Sequence, residues 1–377
     1  MFVYIALMMI VVISGLLLGD GADQTVTDYG SIEFKSTPNR SRFIRLVTFL
    51  LILIATIRAP YIGADTTNYV SALEAYKNYS WGYLFTHNVY PHDYEFGYRM
   101  FTKLCSVLGM SYTMFFFILA LALYIPLLKF IEKKSPNSLV SVALYIGVFN
   151  YLYSLGINRQ AIAVVLCILS THYIEKKKVT SFVIMVVATA FLFHSSAIMF
   201  LAVYPVSWFI YNHKDKMTMI YIAIIALEAV FVIGGRYVAG IILRILPTYI
   251  GYIGSMYATT SNSYLMIAFF DIILIGCMIL TRNKVDTNIS MNIYISCLLI
   301  CCLAQASSYS FSIMGRAVWY FSTFMIILIP FIVENIFEEN SKRIVYGVFV
   351  AFSIGYFVQT LMGAGVNLVP FTFFWNV

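Results

Sequence analysis

An all-α polytopic membrane protein without a sizeable soluble domain is the fold that the sequence predicts, and three observations predict it. Of the 377 residues, 61% are hydrophobic and 11% are charged, where soluble domains carry about 25% charged residues. Apolar runs of the ~18 residues that read as a membrane helix recur along the chain, at its start and again at 343–362 among others. Alternate breaks between runs hold 16 of the 24 Lys and Arg residues, as in a chain that crosses a bilayer repeatedly.

Taken in order, about twelve spans are expected, near 1–19, 43–59, 112–131, 139–155, 158–174, 181–193, 196–211, 218–235, 263–281, 290–308, 316–337 and 344–361. The first, MFVYIALMMIVVISGLLLGD, lacks the basic flank and small-residue cleavage site of a signal peptide and reads as a retained helix. Residues 1–377 then form a single integral membrane domain with two large outer connections, 60–111 and 236–262. The six cysteines mostly fall inside apolar runs, the usage of small hydrophobes, with neither a disulfide framework nor zinc spacing.

Alternate connections hold Lys35, Arg40, Arg42 and Arg45; Lys129, Lys133 and Lys134; Lys176, Lys177 and Lys178; Lys214 and Lys216; Arg282 and Lys284; and Lys342 and Arg343. The positive-inside rule makes these loops cytoplasmic and puts both termini outside. The outer side keeps Arg58, Lys77, Arg99, Lys103, Arg159, Arg236, Arg244 and Arg316, mostly arginines. Positive charge alone sets topology, so this preference answers another demand. The guanidinium fork binds phosphate through paired hydrogen bonds and stays charged where water is scarce. Snorkelling of single arginines to lipid headgroups is the structural alternative. Arg58, Arg159, Arg236 and Arg316 all stand at span ends, and Arg159 and Arg316 open helices, where freed N–H groups add to their charge.

Loop 60–111 has helix-like spacing over about 66–79 and 94–108, the second amphipathic. Its many aromatics suit either an interfacial belt or stacking against sugar faces. Its acids Asp65 and Glu95 are each read as an ion-pair partner of an arginine or as the base that takes a proton from a hydroxyl. His87, His92, Asp93 and Glu95 do not match a recognised metal spacing. The apolar run 181–211 is broken only by His194, Ser195 and Ser196, so two helices are expected to meet there, capped by serine, with His194 at the outer level of the arginines. A packing histidine and a catalytic or phosphate-facing one both fit. Glu228 and Asp271 fall near mid-membrane, as a proton or ion path of a transporter or as a protonated, hydrogen-bonded pair.

Five stretches in this order carry a resemblance: GADTTNY at 63–69, EFGY at 95–98, NRQAIA at 158–163, FHSSA at 193–197 and GRAVWYF at 315–321. Together they resemble the EpsG-like family of polysaccharide polymerases, which includes Wzy-type O-antigen and capsule repeat-unit polymerases. The resemblance implies a GT-C-like helical glycosyltransferase of the bacterial inner membrane with its active site facing the periplasm. It would transfer a growing glycan from undecaprenyl diphosphate to a lipid-linked repeat unit, without metal or other cofactor. The implied partners are undecaprenyl-diphosphate-linked oligosaccharides, membrane lipids and a chain-length regulator, with no nucleic acid. Arg159 and Arg316 are assigned to the diphosphate, with Arg58 as a third contact and Arg236 and Arg244 after them. Asp65 is the first choice for base, with His194 and Glu95 as rivals. A lipid-linked oligosaccharide flippase and a membrane O-acyltransferase are the competing readings.

Overall fold

The computed structural model describes residues 1–18, 22–26, 31–245, 264–282, 288–310, 314–363 and 367–376, with the side chains of 22–26, 235–245 and 310 excepted. The chain forms two compact units, residues 1–27, 32–198 and 343–377 in the first and 28–31 and 199–342 in the second.

The first unit opens with α1 (Phe2–Leu18), followed by an antiparallel hairpin of β1 (Ala22–Val26) and β2 (Ile32–Ser36) in a register from Ala22↔Ser36 to Val26↔Ile32. This hairpin corrects the all-α expectation locally; its strands are too short to register as hydropathy. Helix α2 (Pro38–Ile57) starts where Thr37 accepts a hydrogen bond from the Arg40 N–H and Pro38 supplies a first-turn residue that needs no donor. The outer loop folds into α3 (Thr66–Ala75), a 3₁₀ turn at Tyr76–Asn78, α4 (Trp81–Thr86) and α5 (Phe96–Val107). Then come α6 (Tyr112–Lys134), α7 (Ser138–Gly147), α8 (Tyr151–Gly156), α9 (Asn158–Glu175) and α10 (Val179–Leu192). Ser111 and Asn137 cap α6 and α7 through their side chains.

The second unit holds α11 (Val203–Asn212), α12 (Met217–Ile245), α13 (Tyr264–Arg282), α14 (Ile289–Ser310), α15 (Met314–Ser322) and α16 (Met325–Ile336). Helix α14 is its buried centre, packed by α11, α12, α13 and α15. The last helix, α17 (Glu339–Met362), returns to the first unit.

Among the described residues, five helices are long and apolar enough to cross a membrane by length and composition: α6, α13, α14, α17 and the run Lys214–Gly234 of α12. The pair α15 and α16, bent by 48°, makes a sixth if it is one span. The chain is thus an all-α membrane protein apart from its hairpin. Several expected spans are shorter or broken. The 139–155 stretch divides into α7 and α8 at Asn150, whose φ of 67° is left-handed, a conformation asparagine tolerates. The second helix expected at the HSS break starts as a 3₁₀ helix, Ser195–Ala202, and becomes α-helical only at Val203, where α11 begins. Helix α12 continues through Ile245, into the stretch expected as the second outer loop, and 246–262 lie outside the described residues.

One end of the first unit gathers the residues expected in the cytoplasm. Arg40, fully buried, donates to the carbonyls of Ile131, Glu132 and Ser135 at 3.3, 2.8 and 2.6 Å. It thereby gathers carbonyls at and just beyond the last turn of α6, where helical partners run out. Lys134 pairs with Glu175 at 3.0 Å and Glu33 at 3.4 Å. These cations serve packing as well as topology.

Helix α5 is turned inside out relative to a soluble amphipathic helix. Tyr98, Arg99, Thr102, Lys103 and Ser106 face inward, while Leu104, Val107 and Leu108 are exposed. The inward cations have backbone partners: Lys103 donates to the Tyr76 and Tyr79 carbonyls at 2.8 and 2.7 Å, and Arg99 to that of Tyr94 at 3.2 Å. An apolar outer face on such a helix suits the bilayer interface.

Candidate functional site

The other end of the first unit brings the loop motifs together. Glu95 precedes α5 as its N-cap but makes no side-chain hydrogen bond to that helix. Its Oε1 accepts the Ser195 N–H at 3.0 Å, and its Oε2 forms an ion pair with Arg159 Nη1. One carboxylate therefore joins the EFGY, NRQ and FHSS stretches. Both partners are 17% exposed, so the pair is screened far less than one on an open surface.

Arg159 lies in the first turn of α9, which Asn158 begins as a helical residue and not as a cap. Its guanidinium carbon sits 4.5 Å from the Tyr94 ring centre and 5.9 Å from that of Tyr98. Tyr69 packs against both tyrosines at 5.8 and 5.4 Å. Burial raises all three phenols, that of Tyr69 to about 12, with the Arg159 charge opposing the rise in each and Asp65 adding to it in Tyr69 and Tyr94. The rings thus stay neutral near pH 7 and offer Arg159 their π faces, leaving Glu95 as the anion that balances it.

Two glycines make the close approach of these segments feasible. Gly63 has φ +114°, left-handed, and a Cβ there would lie 2.7 Å from Gly156 Cα. On Gly156, a Cβ would lie 2.5 Å from the Ala64 nitrogen. The pair lets GADTTN dock on the YSLG turn that leads into α9, where the Asp65 N–H donates to the Gly156 carbonyl at 3.3 Å. Asp65 is then half-buried at the start of α3, without a side-chain cap bond, near enough to Tyr69 and Tyr94 to influence both phenols.

At Gly97 the facing element is α10. A Cβ on Gly97 would lie 2.7 Å from both the Leu192 Cβ and its carbonyl oxygen. Because that obstacle includes backbone, Gly97→Ala is expected to cost about 1–3 kcal/mol of stability. The measurement is the Tm of purified protein in detergent, where an unchanged Tm would mean that α5 is not fixed to α10.

His194 follows the end of α10. It is half-buried, with Nδ1 2.8 Å from Ser196 Oγ, and its chain neighbour Ser195 binds Glu95. The serines expected as helix caps have these two contacts in place of capping.

Arg58 ends α2 in extended conformation and is 1% exposed. Its guanidinium lies 4.6 Å over the Phe116 ring, and its Nε and Nη1 have no hydrogen-bond partner among the described residues. Beside it is a cavity of ≈ 10 Å³ lined by Ala55, Leu119, Tyr124, Ser154 and Asn158 among others. That space suits one water molecule and is too small for a phosphate. Arg58 and Arg159 are therefore neighbours through Asn158, which lines the Arg58 cavity. The C-terminal segment closes over this end: Ala59 N–H donates to the Thr372 carbonyl at 2.8 Å, Gly63 N–H to that of Asn367 at 3.0 Å, and Arg58 pairs with Phe373 as a β-bridge.

The structure thus brings Asp65, Glu95, Arg159, His194 and Arg58 to one end of one unit. Arg316 is a half-buried residue of α15 in the second unit. Arg236 and Arg244 fall in α12 where side chains lie outside the described residues. His87 stacks on Tyr83 at 4.7 Å, and His92 is buried with Nε2 3.4 Å from Ser71 Oγ, so with Glu95 held by Arg159 these groups do not converge on a cation. The tyrosine enclosure of Arg159 goes beyond what sequence reasoning supplies, although the i, i+4 spacing of Tyr94 and Tyr98 around Glu95 carries the signal.

Burial lowers the His92 pKa, so the ring is neutral in the folded loop. Its contribution to loop stability is full above the unperturbed value of ~6.5 and is lost as pH falls through the lower folded value. Hydrogen-exchange protection factors over 89–94, corrected for the intrinsic pH dependence, are expected to fall below about pH 6 in the wild type and less so in His92→Asn; equal pH dependence would remove His92 as the cause.

No curated protein and no solved structure gives a significant match to the chain. The profile of the EpsG family matches residues 41–373, which takes in every loop and helix just described around Arg159. The chain belongs to the EpsG family.

Proposed function

We propose that this protein is a polysaccharide repeat-unit polymerase of Wzy type, a GT-C-like glycosyltransferase of about twelve spans in the bacterial inner membrane. It transfers a growing glycan from undecaprenyl diphosphate to a hydroxyl of a lipid-linked repeat unit at the periplasmic face. The family points to polysaccharide polymerisation, and the observation that most supports the reading is the convergence of Glu95, Arg159 and the His194 segment beside Asp65.

In the proposed step the acceptor oxygen attacks the anomeric carbon, the bond from that carbon to the diphosphate oxygen breaks, and the hydroxyl proton passes to Asp65. Negative charge gathers on the departing diphosphate. Arg159 answers it with donors set in advance, in a site where charge–charge terms exceed those in water. Glu95, with both oxygens engaged, holds Arg159 in position and is a weaker candidate for the base. His194 stays a second candidate for base or phosphate donor. Arg58 contributes its field across Asn158, since its cavity admits a water and no phosphate. Arg316, Arg236 and Arg244 belong to the proposal by their sequence positions alone. The chemistry requires no metal at this face, and a chain-length regulator is the expected protein partner.

Purified protein incubated with synthetic undecaprenyl-diphosphate-linked repeat units tests this. A ladder of longer lipid-linked glycans is expected, and folded protein that yields none would overturn the reading. In cells, an inactive variant should still display single repeats; complete loss of exported repeats would favour a flippase.

A further inference from the structure

The second unit contains a group of side chains that the proposed glycosyl transfer does not use. Glu228 on α12, Asp271 on α13 and Cys302 on α14 each offer one ligand atom, and these atoms all lie within 4.8 Å of one another. Three different helices thus meet at one polar point inside apolar segments. Glu228 is 4% exposed and Cys302 1%. Glu228 Oε1 and Asp271 Oδ1 are buried atoms without a hydrogen-bond partner among the described residues. Glu228 hydrogen-bonds through its side chain with Asp271 and Cys302, and no lysine, arginine or histidine of the described residues acts on it beside them.

Two facing carboxylates in a poorly polarisable interior repel and lose hydration together, so the pair takes up protons or a cation. A proton shared between the acids leaves Glu228 Oε1 and Asp271 Oδ1 unpartnered. A divalent cation offsets both carboxylate charges and gives those oxygens a partner. The thiol makes the donor set mixed, two oxygens and one sulfur, which suits a borderline metal such as zinc better than calcium or magnesium. Zinc binds carboxylate oxygen at about 2.0–2.2 Å and thiolate sulfur at about 2.3 Å in tetrahedral geometry, which sets its ligand atoms roughly 3.5 Å apart. From a separation within 4.8 Å, rotation of the side chains by up to about 1 Å completes such a set.

We infer that Glu228, Asp271 and Cys302 form a zinc-class divalent metal site that joins α12, α13 and α14. The site is structural: it ties three helices at a point where apolar packing alone would leave two acids opposed. It lies in a different unit from Arg159, and it goes beyond the polymerase reading without depending on it.

Full-length protein, purified in detergent without added chelator, should carry about one zinc per chain by elemental analysis. Replacement by cobalt(II) should produce the near-ultraviolet thiolate-to-metal absorption, lost in Cys302→Ser. Stripping the metal with a membrane-permeant chelator should lower the wild-type Tm, and zinc alone should restore it. Glu228→Gln and Asp271→Asn should each lose stoichiometric zinc. Wild-type protein that is folded and active yet holds no zinc, takes up no cobalt and shows a chelator-independent Tm overturns the site and indicates doubly protonated acids. The wild-type measurements decide between these outcomes even if a variant fails to fold.

Discussion

Arg159→Ala should reduce glycan elongation by about 100–1000-fold, the usual cost of deleting one donor that meets charge developing in a transition state. The substitution also strands Glu95, whose Oε2 loses its cation while Oε1 keeps the Ser195 N–H. Arg159→Lys should recover little of the activity. An ammonium lacks the planar fork that serves Glu95 and a phosphate together, and it lies less readily on the Tyr94 face. Glu95→Gln offers the informative contrast. It keeps a hydrogen-bonding side chain at the junction and removes the charge that balances Arg159, so weaker binding of the lipid-linked donor should be a smaller effect than slower transfer. The measurement is polymer length from purified protein, with donor concentration varied. Activity of Arg159→Ala within about tenfold of wild type would remove Arg159 from the machinery.

Arg58→Met should move stability and activity in opposite directions. A buried guanidinium with two N–H groups lacking protein acceptors is a costly element, and apolar replacements of buried charges stabilise by about 1–4 kcal/mol in favourable cases. The contact with Phe116 offsets part of this, about 2 kcal/mol when desolvated, and the thioether keeps a contact with the ring. A higher Tm is therefore expected. Activity should fall as well, by about 20-fold if the charge acts across ~10 Å at an effective dielectric of ~20, which is roughly 1.7 kcal/mol. Loss of both stability and activity would show that Arg58 holds the fold and has no separate electrostatic task.

Hydropathy and charge read the class of fold because each apolar run must satisfy its backbone internally within a bilayer, and helices do this residue by residue. They were less informative about breaks. The interruption at Asn150 and the 3₁₀ segment after His194 cost little hydropathy, so 139–155 and 196–211 read as continuous helices. The candidate site was legible as residue types placed at one depth: Arg159, His194, Asp65 and Glu95 each stand beside a break. Their partners were not, since Glu95 meets Arg159 across 64 positions and Ser195 across 100. Arg99 and Lys103 show the opposite limit. Outer cations suggested an anionic ligand, yet these two are satisfied by backbone carbonyls whose positions arise only from tertiary folding.

The pairing of Ala59 and Gly63 with Thr372 and Asn367 also sets an order of events during synthesis. The loop after α2 leaves the ribosome about 300 residues before its partners Asn367 and Thr372. Closing so distant a contact is slow compared with local helix formation, so the backbone donors beside Arg58 wait through translation of the intervening helices. A nascent chain can complete α2 and α9 early, but the end of the unit that holds Arg58 acquires the described hydrogen bonding only after residue 372 has been made. Ribosome-stalled chains ending before and after that point should therefore differ in protease access to the GADTTN segment.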